Sequence, residues 1–306
     1  MISTVVPVLS LVASVFIPES PVYLIRKGNE DQAERSIQKL YGKEYDVSRK
    51  VIAIKDNLQT NKSKAAWNNT CDLFMHVNQR PEIYKPFFIV LLLISIQQLS
   101  GAHVLNRHVV LIFQKLFLAQ DNKNIRTCNS TSLKAYSAAI VFAVVRLISS
   151  LTSSQLLLHF GRKTVFVGSL IFTCISNGLF AICVFFIEKK FFCSNGSSLI
   201  AYFALTFACT RVFSSQLGLQ TIPNIMSGEL YSSNVRAIMK GISKSISYAL
   251  VMVSLTSYPF LSKELGVPGT FQVFTCILLF SLPLSLLYVP ETKGLELEAI
   301  QNLFLK

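Results

Sequence analysis

The sequence predicts an all-α protein that spans a membrane several times. Of its 306 residues, 51% are hydrophobic and only 15% are charged, which leaves too few polar groups to cover a soluble globule. The apolar residues are concentrated in stretches that approach or exceed the ~20 residues a helix needs to cross a bilayer. Segments of this length favour helices over the shorter strands of a membrane barrel, because lipid satisfies no open sheet edge.

The apolar stretches divide the chain into membrane segments. Residues 1–17 are almost wholly apolar and lack a basic region and a small-residue cleavage site, so we interpret them as the end of a spanning helix and not as a signal peptide. Six further spans are predicted, at residues 86–113, 136–158, 164–187, 199–227, 237–261 and 270–289. The polar run from Gln97 to Gly101 and the missing backbone donor of Pro223 predict interruptions in two of them, as gates or as plain kinks.

The charged segment 18–85 is predicted to fold into short amphipathic helices. Asn29 precedes two acidic residues, as at a helix N-terminus, and Gly42 follows the last apolar residue of that helix. Asp46 is placed to cap a second helix, whose apolar residues recur every three or four positions. A third helix is predicted from about Cys71. Such a segment suits packing against the membrane bundle or, alternatively, binding of a partner.

The distribution of basic residues predicts the topology. If segment 18–85 is cytoplasmic, that side carries 19 of the Lys and Arg residues in the connections and the other side carries 7, so both ends of the bundle are predicted to be cytoplasmic. Two glycosylation sequons, at Asn129 and Asn195, then fall in outer loops. The net charge of +13 forms no basic stripe with interleaved aromatics, so nucleic acid is not an expected partner.

No motif in the sequence indicates an enzyme, a metal site or a cofactor. Signatures of metalloproteases, hydrolases, phosphate loops and dinucleotide sites are missing, and the four His residues are scattered. The seven Cys residues form no CxxC pair. Cys128 and Cys193, in the predicted outer loops, are equally compatible with a disulfide in an oxidising compartment and with free thiols.

Five short motifs occur in a characteristic order along the chain. They are Pro18-Glu19-Ser20-Pro21, Gln97-Gln98-Leu99-Ser100-Gly101, Gly161-Arg162-Lys163, Glu229 with Arg236 seven residues on, and Pro290-Glu291-Thr292-Lys293-Gly294. Each is weak alone, but together their order and spacing resemble the sugar porter family of the major facilitator superfamily over the whole chain. Within that family, the chain is similar to the facilitated glucose and trehalose transporters of insects.

The resemblance implies the carboxyl-terminal six-helix bundle of a major facilitator transporter. Residues 1–17 would end helix six, residues 18–85 would form an intracellular helical domain, residues 86–289 would form helices seven to twelve, and residues 290–306 would form a cytoplasmic tail. The chain would then lack its N-terminal six-helix half. The implied function is transport of a hexose or trehalose-like sugar by alternating access, in a multi-pass protein of the plasma membrane. A non-transporting sugar sensor, or a degenerate copy with an altered substrate, is the alternative.

The resemblance also implies two sets of functional side chains. One set binds substrate, because amides donate to and accept from vicinal hydroxyls: Gln97, Gln98, His103, Gln216, Asn224 and Ser247. The other set forms a cytoplasmic latch of ion pairs whose strength differs between two states: Glu19, Arg162, Lys163, Glu229, Arg236 and Glu291. The alternative for the second set is that it only fixes the topology.

The substrate set departs from the family pattern. His103 stands where the family has Asn, Arg107 and His108 replace an aromatic pair, and Asn224 stands in place of a stacking Trp. A cation inside a span costs ~2.5 to 3.5 kcal/mol on insertion and usually faces a cavity or a partner. These replacements favour an anionic or otherwise altered substrate as one alternative, and relaxed selection as another.

Overall fold

The computed structural model describes residues 8–12, 14, 17–42, 46–64, 81–120, 128–189, 194–231 and 235–293. The chain divides into two units, Met1–Met75 and His76–Lys306. The all-α prediction is confirmed, because the described residues form helices, turns and bends and contain no strand.

The first unit contains short helices of the predicted kind. Helix α1 is Pro21–Lys27, α2 is Glu30–Tyr41 and α3 is Val47–Lys64. The motif residue Pro21 occupies the first position of α1, where its missing N–H is not needed, and Gly28 ends the helix with a φ of 87°.

The two helices predicted for the charged segment are present, although Leu40 and Tyr41, which were predicted to lie on the apolar face of the first, are exposed. Helix α2 begins directly after Asn29, although this side chain makes no capping hydrogen bond, and the helix ends at Gly42. At the start of α3, Asp46 caps the helix by accepting a hydrogen bond from the backbone N–H of Arg49 at 3.2 Å. The third helix predicted from Cys71 begins at a residue that lies outside the described ranges.

The second unit consists mainly of long helices. In chain order they are α4 Pro81–Leu99, α5 Ala102–Gln120, α6 Cys128–His159, α7 Arg162–Glu188, α8 Ser194–Ser214, α9 Ile222–Glu229, α10 Arg236–Glu264 and α11 Gly266–Tyr288. A π-helical turn, Ser215–Leu219, follows α8. Among the described residues, five helical segments are long and apolar enough to cross a membrane: Ile83–Phe117, Leu133–His159, Arg162–Glu188, Arg236–Glu264 and Gly266–Tyr288.

Both predicted interruptions are present. The predicted span 86–113 is not one continuous helix, because α4 ends at Leu99 and the chain turns through Gly101, with a φ of 74°, before α5 begins. The predicted span 199–227 is divided into α8, the π-helical turn and α9, and it is not one of the five long apolar segments. The other four predicted spans overlap α6, α7, α10 and α11.

A compact core joins the helices of the second unit, while their outer faces remain apolar. Phe113, Phe180 and Phe271 are fully buried in this core, and the rings of Phe180 and Phe271 meet edge to face at 5.0 Å. On the outside, Phe172 and Phe280 are 65% and 79% exposed. Large exposed apolar side chains on spanning helices are the surface that lipid tails cover.

Gly101 is required at the first interruption. A Cβ at this position would lie 2.4 Å from the ring atom Cδ2 of Phe274, and the positive φ disfavours any L side chain. We expect Gly101→Ala to lower the free energy of unfolding by about 1 to 3 kcal/mol, because strained backbone costs about that much. Thermal unfolding of the purified protein in detergent measures the effect.

The matched control for this prediction is Gly168→Ala. Gly168 lies within α7, and a Cβ there would meet nothing within 4 Å. Ala is favoured over Gly inside a helix by about 1 kcal/mol, so this variant should be as stable as the unmodified protein or more stable. Equal destabilisation by both substitutions would contradict the role assigned to Gly101.

Candidate functional site

The first candidate site is a group of buried amides at the two interruptions. Gln97 Nε2 donates to the main-chain oxygen of Gln220 at 3.0 Å and to its Oε1 at 3.1 Å. Gln98 Nε2 donates to Oγ of Ser247 at 2.6 Å. We call Gln97, Gln98, Gln220 and Ser247 the amide cluster. It connects the end of α4 with the residue after the π-helical turn and with the middle of α10.

The amide cluster retains unused hydrogen-bonding capacity. Gln97, Gln98 and Ser247 are only 4 to 5% exposed. Among the described residues, nothing hydrogen-bonds to Oε1 of Gln98 or to Nε2 of Gln220. A buried polar atom without a partner costs roughly 1 to 3 kcal/mol. A ligand hydroxyl group can donate to the first atom or accept from the second, so the chemistry of the cluster suits a hydroxylated ligand.

A buried arginine supports the interruption beside the amide cluster. Arg211 is fully buried in α8, and its Nη2 donates to the main-chain oxygen of Ser100 at 2.9 Å. The guanidinium carbon lies 5.8 Å from the ring centroid of Phe271, within the range of a cation–π interaction. The hydrogen bond satisfies a carbonyl that the break between α4 and α5 has freed from helical pairing. No sequence motif assigns Arg211 to either site, because its role depends on a contact 111 positions away in the chain.

Three predicted substrate residues lie outside the amide cluster. Asn224 extends it, since its Nδ2 donates to the main-chain oxygen of Gln220 at 3.0 Å and its Oδ1 accepts from Nζ of Lys244. Gln216 lies half-buried in the π-helical turn. His103 lies half-buried at the start of α5, and its Nε2 has no hydrogen-bond partner within the described ranges. Gln220 and Lys244 were not predicted, although Gln220 lies in the Gln-Thr-Ile-Pro-Asn segment that predicted the second interruption.

The basic replacements on α5 do not join the amides. Arg107 is exposed, and His108 stacks on the ring of Tyr258 with 4.7 Å between centroids. No hydrogen bond links either residue to the amide cluster in the part of the chain that the structure describes.

The second candidate site lies at the predicted cytoplasmic ends of α7, α9 and α11. Arg162 Nη2 forms an ion pair with Oε1 of Glu229 at 3.1 Å, and the two side chains are 24% and 25% exposed. The other carboxylate oxygen of Glu229 accepts from Oγ1 of Thr292 at 2.6 Å. Glu229 therefore ties the start of α7 to the segment that follows α11.

A second carboxylate caps α7. Glu291 accepts hydrogen bonds from the backbone N–H groups of Arg162 at 2.9 Å, Lys163 at 3.1 Å and Lys293 at 3.0 Å. Burial by itself raises the pKa of Glu291, but these backbone donors outweigh it and hold the pKa below its ordinary value. The close approach explains the glycine of the motif, because a Cβ at Gly161 would lie 2.3 Å from Oε2 of Glu291.

The remaining predicted latch residues contact main-chain oxygens or lie elsewhere. Lys163 Nζ donates to the main-chain oxygen of Leu286 at 2.8 Å. Arg236 Nε donates to the main-chain oxygen of Tyr231 at 3.2 Å, so it does not pair with a carboxylate of the described residues. Glu19 is exposed in the first unit.

The predicted glycosylation residues cannot be placed against the fold. The side chains of Asn129 and Asn195 lie outside the described residues. Where the structure does describe side chains, no group of three or more His, Cys, Asp or Glu residues is arranged to hold a metal ion.

Sequence comparisons relate the chain to known transporters. The model of the family described as "Sugar (and other) transporter" matches residues 1–304. The facilitated trehalose transporter of Apis mellifera ligustica is 27% identical over 304 residues, which cover 99% of this chain and 56% of the relative. That of Aedes aegypti is 26% identical over 299 residues, which cover 97% of this chain and 34% of the relative. The chain thus spans about half, or less, of the length of these relatives.

Solved structures share the fold. The proton:xylose symporter XylE bound to 6-bromo-6-deoxy-D-glucose, a major facilitator protein, superposes with a TM-score of 0.71 at 19% identity, over 97% of this chain and 56% of that one. The inward-open xylose transporter XylE from E. coli gives a TM-score of 0.61 at 18% identity, over 97% and 54% of the two chains. At this identity the likeness establishes the fold.

Glu291→Gln is predicted to weaken the attachment of the tail to α7. The amide keeps the size of the side chain but removes a charge that the helix N-terminus stabilises by about 0.3 to 1 kcal/mol. Because the pKa of Glu291 is lowered in the folded protein, its contribution is present above the ordinary Glu pKa and is lost as pH falls through the folded-state value. The difference in free energy of unfolding between the two proteins should therefore shrink from neutral pH towards acid.

Denaturation in detergent across this pH range measures the difference. Glu264→Gln is the control, because Glu264 is an exposed carboxylate at the last position of α10. If the difference in free energy of unfolding between Glu291→Gln and the unmodified protein does not change with pH, the capping role assigned to Glu291 is contradicted.

Proposed function

Because the chain belongs to the sugar transporter family of the major facilitator superfamily, we propose that it forms the sugar-binding bundle of a membrane carrier. The proposed substrate class is a hexose or a trehalose-like disaccharide. Support for this class comes from the relatives, which are facilitated trehalose transporters, and from a structural neighbour that binds a deoxyglucose derivative. These relatives are transporters, so we expect translocation of the substrate without chemical change.

The observation that carries the proposal is the amide cluster. In an apolar bundle, a buried Gln side chain destabilises the fold unless its amide group is hydrogen-bonded. This cluster leaves an acceptor on Gln98 and a donor on Gln220 without a hydrogen bond among the described residues. Pairs of adjacent hydroxyls on a sugar ring offer the matching donor and acceptor. The cluster also connects three segments of the bundle, so a sugar bound there contacts α4, α10 and the residue after the π-helical turn.

Transport by alternating access requires a second bundle. Carriers of this fold enclose their substrate near the bilayer midplane between two helical bundles that rock against each other. The curated relatives are roughly two to three times as long as the matched region. We therefore propose that the six spans predicted from the sequence work with an N-terminal six-helix half, in the plasma membrane, with the C-terminus in the cytoplasm.

The cluster around Glu229 is proposed to act as the cytoplasmic latch of that carrier. In this structure, Glu229 holds Arg162 and Thr292 together, and Glu291 holds the first backbone N–H groups of α7. Contacts that exist in only one state shift the equilibrium towards that state by their free energy. Their loss is thus expected to change the rate of cycling and to leave the hydrogen bonds of the amide cluster intact.

Gln98→Ala is predicted to weaken sugar binding. The substitution removes the free acceptor and the hydrogen bond to Ser247, and the loss of one to two hydrogen bonds corresponds to about a tenfold rise in Kd. Equilibrium binding of radiolabelled glucose and trehalose to the protein in lipid nanodiscs measures this. Gln272→Ala is the matched control, since Gln272 is exposed on α11. Absence of binding by the unmodified protein, or equal losses in both variants, would contradict the proposal.

Glu229→Gln is predicted to change transport and not binding. The variant loses the charge that pairs with Arg162, so we expect the rate of sugar uptake to change at least about twofold while the Kd for sugar stays the same. Uptake is measured in vesicles that contain this chain together with the N-terminal bundle of the Apis mellifera ligustica relative. Glu264→Gln is the control and should leave uptake unchanged. Unaltered uptake by Glu229→Gln would contradict the proposed latch.

A further inference from the structure

One face of α10 carries a row of three cations. Arg236, Lys240 and Lys244 are spaced four residues apart, which places them above one another on the same side of the helix. Together with Ala237 and Gly241, which lie on the same helix, they line an open cleft of about 430 Å³. We call Arg236, Lys240 and Lys244 the basic cleft.

No negative charge in the described part of the chain balances the basic cleft. Arg236 donates to a main-chain oxygen, and Lys244 donates to the uncharged amide of Asn224. The nearby carboxylate of Glu229 is already bound on both oxygens, by Arg162 and Thr292. The cleft therefore presents an uncompensated positive charge.

Lys244 is one of the 19 basic residues counted on the cytoplasmic side, but it lies further along α10 than Arg236 and Lys240. It lies eight residues beyond the first residue of α10, which is about 12 Å along the helix axis, inside a segment that is long and apolar enough to cross a membrane. The excess of cytoplasmic Lys and Arg accounts for cations at helix ends. A cation within a span instead faces a water-filled cavity or a charged partner, and it marks a functional site by default.

A chain of hydrogen bonds connects Lys244 with the amide cluster. Lys244 Nζ contacts Asn224, which donates to the same main-chain oxygen of Gln220 that Gln97 contacts. Ser247, the α10 member of the amide cluster, lies three residues beyond Lys244. Lys244 therefore lies beside the amide cluster, one hydrogen-bonded residue away from Gln220.

Two glycines leave room for a small ligand. A Cβ at Gly241 would meet nothing within 4 Å, so the wall between Lys240 and Lys244 is open. A Cβ at Gly228, on α9, would lie 3.9 Å from Nζ of Lys240, which shows that this ammonium lies over the glycine surface of the neighbouring helix.

We propose that the substrate of this chain is an anionic sugar, whose carboxylate or phosphate group binds Lys244 and Lys240 while its hydroxyl groups bind the amide cluster. The inference rests on the proposed function and names the class of sugar. Ammonium groups form strong charge-assisted hydrogen bonds with such anions, and Arg236 at the mouth of the cleft raises the local concentration of negatively charged ligands. A neutral sugar would leave the charge of Lys244 unbalanced inside the membrane.

The test compares neutral and anionic sugars of the same ring. Binding of radiolabelled glucose, glucuronate and glucose 6-phosphate is measured with the protein in phosphatidylcholine nanodiscs. We expect at least one anionic sugar to bind at least tenfold more tightly than glucose. Lys244→Met should bring this ratio of affinities close to one, and Lys244→Arg should preserve most of it. Lys263→Met, at the far end of α10, is the matched control and should leave the ratio unchanged.

The outcomes separate this inference from the proposed function. Glucose binding that depends on Gln98, without any preference for the anionic sugars, overturns the inference and leaves the proposed function standing. A preference that survives Lys244→Met also overturns the inference. Absence of binding by all three sugars overturns the inference, and absence of trehalose binding as well overturns the proposed function.

A third arm distinguishes a free sugar from a lipid headgroup. The same measurements are repeated in nanodiscs that contain phosphatidylglycerol. Retention of the anionic-sugar preference in these nanodiscs supports the inference. Its loss, together with retention of phosphatidylglycerol that depends on Lys244, would assign the basic cleft to a lipid phosphate instead.

Discussion

A bilayer offers no water to a broken helix, and this constraint organises the second unit. Wherever the backbone leaves helical pairing, a side chain has to supply the missing hydrogen bonds. At the first interruption, Arg211 bonds the freed carbonyl of Ser100, while Gln97 contacts the main chain of Gln220 at the second. The polar groups of the bundle are therefore gathered where two helices break. The same requirement that makes interruptions costly makes them the natural places for a polar ligand.

Charge is handled differently at the two sites. At the helix ends, Glu229 and Glu291 are paired with an arginine, a hydroxyl and backbone donors, so each carboxylate is satisfied within the protein. Deeper in α10, Lys244 has only an amide partner among the described residues. A satisfied charge stabilises one arrangement of helices, whereas an unsatisfied one attracts a ligand. This contrast supports a latch at the ends of the bundle and a binding site further in.

Local patterns were sufficient for much of the fold. The start of α2 after Asn29, the cap that Asp46 makes on α3 and the turn at Gly101 are each determined by a few neighbouring residues. The interruption near Pro223 was likewise visible, because proline lacks the donor that a helix needs. The partner of Arg211 was not visible, since its hydrogen bond to Ser100 joins residues 111 positions apart.

By itself, the sequence determined the helical class, the membrane segments and the short capped helices, because hydropathy and capping act over a few residues. The order and spacing of five short motifs also determined the family resemblance. Only the tertiary structure decided which polar residues work together. The contacts of Gln97 with Gln220 and of Gln98 with Ser247 join residues 123 and 149 positions apart. Such pairings depend on the packing of whole helices, which no local pattern encodes, and they brought Lys244 into the neighbourhood of the amides.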